Sequence, residues 1–247
     1  TLNVTKADSV DLTAAATTDV NVSGATKTID VDGGKNVTVT DAKAAVTLNN
    51  AKGNVTVTDA TQAAAITIND GANVTVTATS AVNNGGITIG GTNGLNTGNA
   101  TGDVVVTSNL NGADAVTLTG AAINVTGGKT VNVTVNATSA ETTDDTTVST
   151  TNQSAINVTA DNTTTSVTVK QTASVTGSDA VTAVAGVNEV STIKFVTLAN
   201  TAAVTIDGLT FTNTSGAPLS AADVAAAFAN LTVGEIQGCS TKGTYSG

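Results

Sequence analysis

The most constraining feature is a short repeat. Asn36-Val37-Thr38-Val39-Thr40, Asn54-Val55-Thr56-Val57-Thr58 and Asn73-Val74-Thr75-Val76-Thr77 begin 18 and 19 residues apart. Between them lie Ala45-Val46-Thr47-Leu48-Asn49, Ala65-Ile66-Thr67-Ile68-Asn69 and Gly86-Ile87-Thr88-Ile89-Gly90. Two kinds of strand therefore alternate, one about every nine residues. A fixed short period of this kind predicts a chain wound into stacked coils.

Each strand reads apolar-polar-apolar, so its apolar pair shares one face and Thr or Asn takes the other. The first inward residues are expected at Val10, Val20, Ile29, Val37, Val46, Val55, Ile66, Val74 and Ile87. The series continues through Val104, Val116, Ile123, Val131, Val148, Ile156, Val167 and Val175. Corners such as Asp32-Gly33-Gly34 and Asn69-Asp70-Gly71 supply residues that tolerate a left-handed backbone. Turns this short could also close antiparallel hairpins. Recurrence of like strands at every second position favours parallel coiling, with Val37 over Val55 over Val74. A three-sided coil of about 27 residues also fits Val10, Val37 and Ile66. At about 4.8 Å per coil, nine or ten two-strand coils would make a rod of roughly 45 Å. The period loosens at Gly90–Gly98 and again over Ala137–Thr147, as corner insertions would.

Composition agrees with a thin core. Aromatics are 2% of 247 residues, and Met, Trp and His are absent. Val, Ile, Leu and Ala must fill the interior almost alone. Mean hydropathy is +0.17, and β-branched residues alternate with Thr, which argues against disorder. A net charge of −10 with scattered basic residues and few aromatics excludes a nucleic-acid surface and weighs against anionic membranes. No apolar run reaches the roughly 20 residues of a membrane helix. Cys239 is the single cysteine, so it is either an inert side chain or a disulfide partner for another chain or for a further part of the same polypeptide. Thr1 to Thr5 already read as strand, as in a processed or excised piece of a larger polypeptide.

After about Val181 the pattern changes. Glu189–Leu198 and Ala203–Thr212 read as longer strands, and Asp207-Gly208 as a hairpin turn. Ser220, with Asp223 three residues on, opens a helix over 221–230 whose stripe is Val224, Phe228 and Leu231. All three Phe and Tyr245 fall after residue 190, where a second small core is expected. The fold expected is mostly β: a parallel β-solenoid over 1–185, with two strands and about 18 residues per coil. A small α+β module with one helix follows over 186–247.

The Val-Thr-Val array resembles the β-strand-repeat regions of very large bacterial cell-surface proteins of the surface-layer and adhesin type. The tail is similar to a module that recurs in some of them, through Val204-Thr205-Ile206-Asp207-Gly208-Leu209-Thr210-Phe211, Leu219–Ala229 and Gly243-Thr244-Tyr245-Ser246-Gly247. The resemblance implies an exported, cell-surface, non-catalytic role and carries over no catalytic residues.

The chemistry open to the chain is narrow. Without His, and with a lone Cys, His-based triads and Cys/His metal sites are excluded. Asp30 and Asp32 share a strand face, and Asp41 and Asp59 occupy equivalent positions of successive coils. Such pairs could in principle serve a glycosidase, but no aromatic platform for sugars accompanies them. Calcium is the ligand chemistry that oxygen-rich turns would support, with Asp30, Asp32, Asp70, Asp144 and Asp145 as candidate ligands; otherwise these residues are turn formers. No other cofactor is expected. Asn-Val-Thr at Asn3, Asn36, Asn54, Asn73, Asn124 and Asn157 matches a glycan acceptor, and outward Thr could take O-linked sugars. The first strand carries no capping helix, so copies of the chain are expected to join end to end into a filament or surface layer. Leu2, Val4, Phe211, Phe228, Leu231 and Tyr245 are the expected contact residues. The alternatives are an adhesin segment that binds a host or surface ligand through the corner insertions, and a carbohydrate-active enzyme.

Overall fold

The computed structural model describes residues 1–59, 64–91, 98–113, 116–140, 149–176, 192–206, 208–229 and 242–246. The chain coils between two facing sheets. The first holds β1 (Leu2–Thr5), β3 (Val20–Ser23), β5 (Val37–Thr40), β7 (Val55–Asp59), β9 (Val74–Ser80), β11 (Asp103–Gly112), β14 (Thr130–Ala140) and β17 (Ser166–Thr176). The second holds β2 (Val10–Ala14), β4 (Ile29–Gly33), β6 (Val46–Asn49), β8 (Ile66–Asn69), β10 (Ile87–Ile89), β13 (Ile123–Thr126), β16 (Ile156–Thr159) and β18 (Thr192–Lys194). Neighbours within each set are parallel. The expected β-solenoid is therefore present, and its first coils are two-sided.

The register explains why. Val20, Val37, Val55 and Val74 lie on successive rungs of one sheet, and Ile29, Val46, Ile66 and Ile87 on those of the other. All of these side chains are at most 1% exposed. Each therefore contributes about 1.5–3 kcal/mol of burial. Small branched side chains suit the narrow gap between sheets, and their stiffness at χ1 keeps the stack regular.

The coil then widens. From β11 onward the first-sheet strands grow to 10 or 11 residues. A third side appears, in which β12 (Thr117–Thr119) pairs parallel with β15 (Thr150–Asn152). Successive coils now take 27 and 36 residues, as Thr130 sits on Asp103 and Ser166 on Thr130. The overhanging halves enclose a second small core of Leu110, Leu118 and Ala137, with Val116 against it. Buried hydroxyls line it, and Ser139 Oγ donates to Ser149 Oγ at 2.9 Å.

A rod of uniform two-strand coils is thus corrected: both expected coil sizes occur, in succession. Val116 is only half-buried and Leu118 takes the inward place. Val175 starts no strand; it is the penultimate residue of β17 and is 47% exposed. Val148 lies outside the described residues. The second loosening is partly strand, because β14 runs on to Ala140.

The tail continues the first sheet. β19 (Ala203–Ile206) pairs parallel with β17; β20 (Leu209–Asn213) then pairs antiparallel with β19, and β21 (Gly243–Ser246) antiparallel with β20. Ile206 opposite Leu209 places the tight turn where Asp207-Gly208 was expected, with Gly208 at φ +83°. Of the other long strand expected, Glu189–Leu198, only Thr192–Lys194 is strand among the described residues. Helix α1 (Ala221–Phe228) starts at a capping box: the Asp223 N–H donates to Ser220 Oγ at 3.2 Å, and the Ser220 N–H donates to Asp223 Oδ2 at 3.3 Å. It ends two residues earlier than expected, because Ala229 is extended. Leu231 and the 185/186 boundary lie outside the described residues.

Among the described residues, the C-terminal side chains form no core separate from that of the solenoid. Phe195 stacks on Phe228 with centroids 5.9 Å apart, Phe211 meets Phe228 edge-on at 6.1 Å, and Tyr245 lies 5.1 Å from Phe211. Phe211, Val224 and Ala227 belong to the same apolar cluster as the solenoid valines. The larger rings fill the space where antiparallel strands and a helix replace paired coils.

Two corner glycines are sterically required. Gly33 and Gly90 sit at φ +89° and +81°, and an added Cβ would lie 2.1 Å from the carbonyl oxygens of Ala14 and Thr126, respectively. Gly33→Ala should therefore cost more than about 1 kcal/mol, measured by urea unfolding. Gly208→Ala, with nothing within 4 Å, should cost less.

Candidate functional site

Polar side chains just before the first-sheet strands form a ladder along one corner. Asn36 Nδ2 donates to Asp19 Oδ1 at 2.8 Å, the Asn54 N–H to Asn36 Oδ1 at 2.9 Å, and Asn73 Nδ2 to Asn54 Oδ1 at 2.9 Å. The Asp103 N–H then donates to Asn73 Oδ1 at 2.9 Å, and Thr130 Oγ1 to Asp103 Oδ1 at 2.6 Å. Asn157 Nδ2 donates to Asn124 Oδ1 at 2.9 Å on the second sheet, and Asn21 Nδ2 to Asn3 Oδ1 at 2.8 Å on the first. The amide nitrogens of Asn36, Asn73 and Asn157, which an N-linked sugar would occupy, are thus already committed to the neighbouring coil. The Asn-Val-Thr recurrence has a structural cause in the rungs.

The second sheet carries the acidic surface. Asp11, Asp30, Asp32 and Asp70 line one open polar groove with Asn49, Asn50 and Asn69. Three of the calcium candidates, Asp30, Asp32 and Asp70, therefore share a surface, and Asp11 joins them. Asp32 Oδ1 accepts from Asn50 Nδ2 at 2.6 Å. Asp70 sits at φ +72°, as its turn-forming reading requires. Among the described residues, no three acidic, His or Cys side chains are grouped closely enough to hold a metal ion. Asp144 and Asp145 lie outside the described residues. Asp41 leaves β5 at φ +52° and donates its N–H to Thr58 O at 2.9 Å, whereas Asp59 stays in β7. The register that pairs Thr40 with Thr58 therefore runs on to set Asp41 opposite Asp59, so their coil positions are equivalent as expected and only their backbone conformations differ.

The expected contact residues are divided. Leu2 is 38% exposed and Val4 half-buried on β1, an outer strand of the first sheet. Phe211 is fully buried and presents no contact surface, whereas Phe228 is half-buried at the edge of the aromatic cluster. Tyr245 is half-buried, and its hydroxyl donates to Ala227 O.

Sequence reasoning missed Asp161. Its carboxylate accepts from the Thr163 N–H at 2.8 Å and from Asn99 Nδ2 at 3.3 Å, tying the corner after β16 to the one before β11. Partial burial opposes its ionisation, but the hydrogen bonds from Thr163, Asn99 and Thr164 outweigh this and hold its pKa below the ordinary value. The Asp-Asn-Thr-Thr sequence at 161–164 was the available signal for such a turn.

No protein-family model, curated protein or solved structure matches the chain.

Two outcomes follow from these charges. Asp11 and Asp30 are register partners on adjacent parallel strands, whereas Thr47, Thr67 and Thr88 stand at the equivalent places of later coils. Asp30→Thr should stabilise the chain by about 0.2–1 kcal/mol at low salt, and the gain should shrink in high salt as screening rises. Because the folded pKa of Asp161 is depressed, its stabilisation is present above its unfolded value near about 4 and lost as pH falls through the folded value. Urea midpoints of wild type and Asp161→Asn should therefore differ at neutral pH and converge in acid.

Proposed function

We propose that the chain is a non-catalytic structural element of an extracellular bacterial assembly, a filament or surface layer, whose copies join end to end through strand edges. The supporting observation is the outer rung of the solenoid. β1 and β2 present Leu2, Val4 and Leu12 only partly covered, on the pattern that internal coils bury against one another. Outer strands of this kind pair readily with further strands. In the C-terminal module Phe211 is spent on the internal cluster, whereas Phe228 and Tyr245 stay half-buried and can join a contact made chiefly by the β1–β2 end. The resemblance to bacterial β-strand-repeat surface proteins supports the cell-surface setting.

Sedimentation and negative-stain microscopy across a wide concentration range test this reading. The full chain should form rods longer than one molecule. Val4→Lys should shift association to higher concentration, because a charge on an edge strand discourages pairing, while circular dichroism stays unchanged. Particles of single-molecule length at every concentration would remove the basis for the proposal.

A further inference from the structure

The outer face of the first sheet is a lattice of hydroxyls. Thr38 and Thr40, Thr56 and Thr58, and Thr75 and Thr77 lie rung on rung in strict register. Thr107 and Thr134 extend the second column, and Val105, 37% exposed, continues the first with a side chain of the same shape as Thr. Parallel strands set the grid at about 4.8 Å between rungs and roughly 6.6 Å between alternate residues of a strand. The six paired Thr side chains are half-buried or exposed, and their hydroxyls make no hydrogen bond to protein among the described residues. The Asn columns beside them, by contrast, satisfy one another. The two central columns hold no charged residue from β1 to β14, although the net charge is −10.

We propose that this face binds ice. The chemistry it offers is a repeating pair of one methyl and one hydroxyl, with no charge and no ring. A charged ligand finds no counter-charge there. A crystalline polysaccharide finds no aromatic platform, because the aromatic side chains lie in the C-terminal cluster. A lattice of water needs neither. The shorter oxygen repeat of hexagonal ice is close to the spacing between rungs. The hydroxyls can join that lattice while the γ-methyls order water between them. The valines beneath each Thr fix the backbone, and β-branching limits χ1, so little freedom is lost on binding. The inference is independent of end-to-end assembly.

The test uses the full chain in ice recrystallisation and thermal hysteresis assays. Wild type should inhibit recrystallisation and shape growing crystals. Thr56→Lys, which puts a charge in the middle of the grid, should lose most of that activity with an unchanged circular dichroism spectrum. Thr67→Lys, at an outward position of the second sheet, should retain it. Inactive wild type, an active Thr56→Lys, or equal loss in both variants would overturn the proposal. So would retention on crystalline cellulose or chitin that Thr56→Lys abolishes while ice activity is unaffected.

Discussion

Everything in this molecule depends on in-register stacking of like on like between parallel rungs. The backbone ladder sets the distance between coils. Because that distance is constant, any side chain repeated at the coil period meets its own kind one rung away. For Val and Ile the result is a dry wall. For Asn it is a chain of amide hydrogen bonds from Asp19 to Asp103. For Asp, as at Asp11 and Asp30, it is repulsion. The same geometry thus rewards one composition and penalises another, which is why most outward positions are uncharged Thr or Asn.

The two sheets consequently differ in character. From β1 to β14 the first presents uncharged side chains in its central columns, whereas the second gathers Asp11, Asp30, Asp32 and Asp70 around one groove. A molecule with this division can approach a neutral surface through one face while the other keeps acidic copies apart. The exposed ion pair between Lys27 and Asp8, at 2.6 Å, adds little to stability in such a setting.

The widening of the coil has a comparable logic. Two-strand coils can bury only a pair of short strands. Lengthening β11, β14 and β17 creates an overhang that must be covered, and β12 and β15 cover it with Leu118 as the principal apolar plug. At the C-terminal end the solution changes again. Antiparallel strands and α1 bring rings together, because small aliphatic side chains no longer meet partners across a fixed gap.

The alternation of Val or Ile with Thr determined the strands, their inward faces and the first coils, because period two and a nine-residue spacing admit few other arrangements. The capping box at Ser220 and the turn at Gly208 were equally local and equally legible. Residue spacing left open whether coils are two- or three-sided. Only the tertiary structure decided that both occur, since the choice depends on which overhangs find cover. It also decided that Phe211 is interior, that Asp30, Asp32 and Asp70 share a groove with Asp11, and that Asp161 ties two distant corners. Those outcomes depend on which coil lies against which, a relation between residues far apart in the chain that no local pattern encodes.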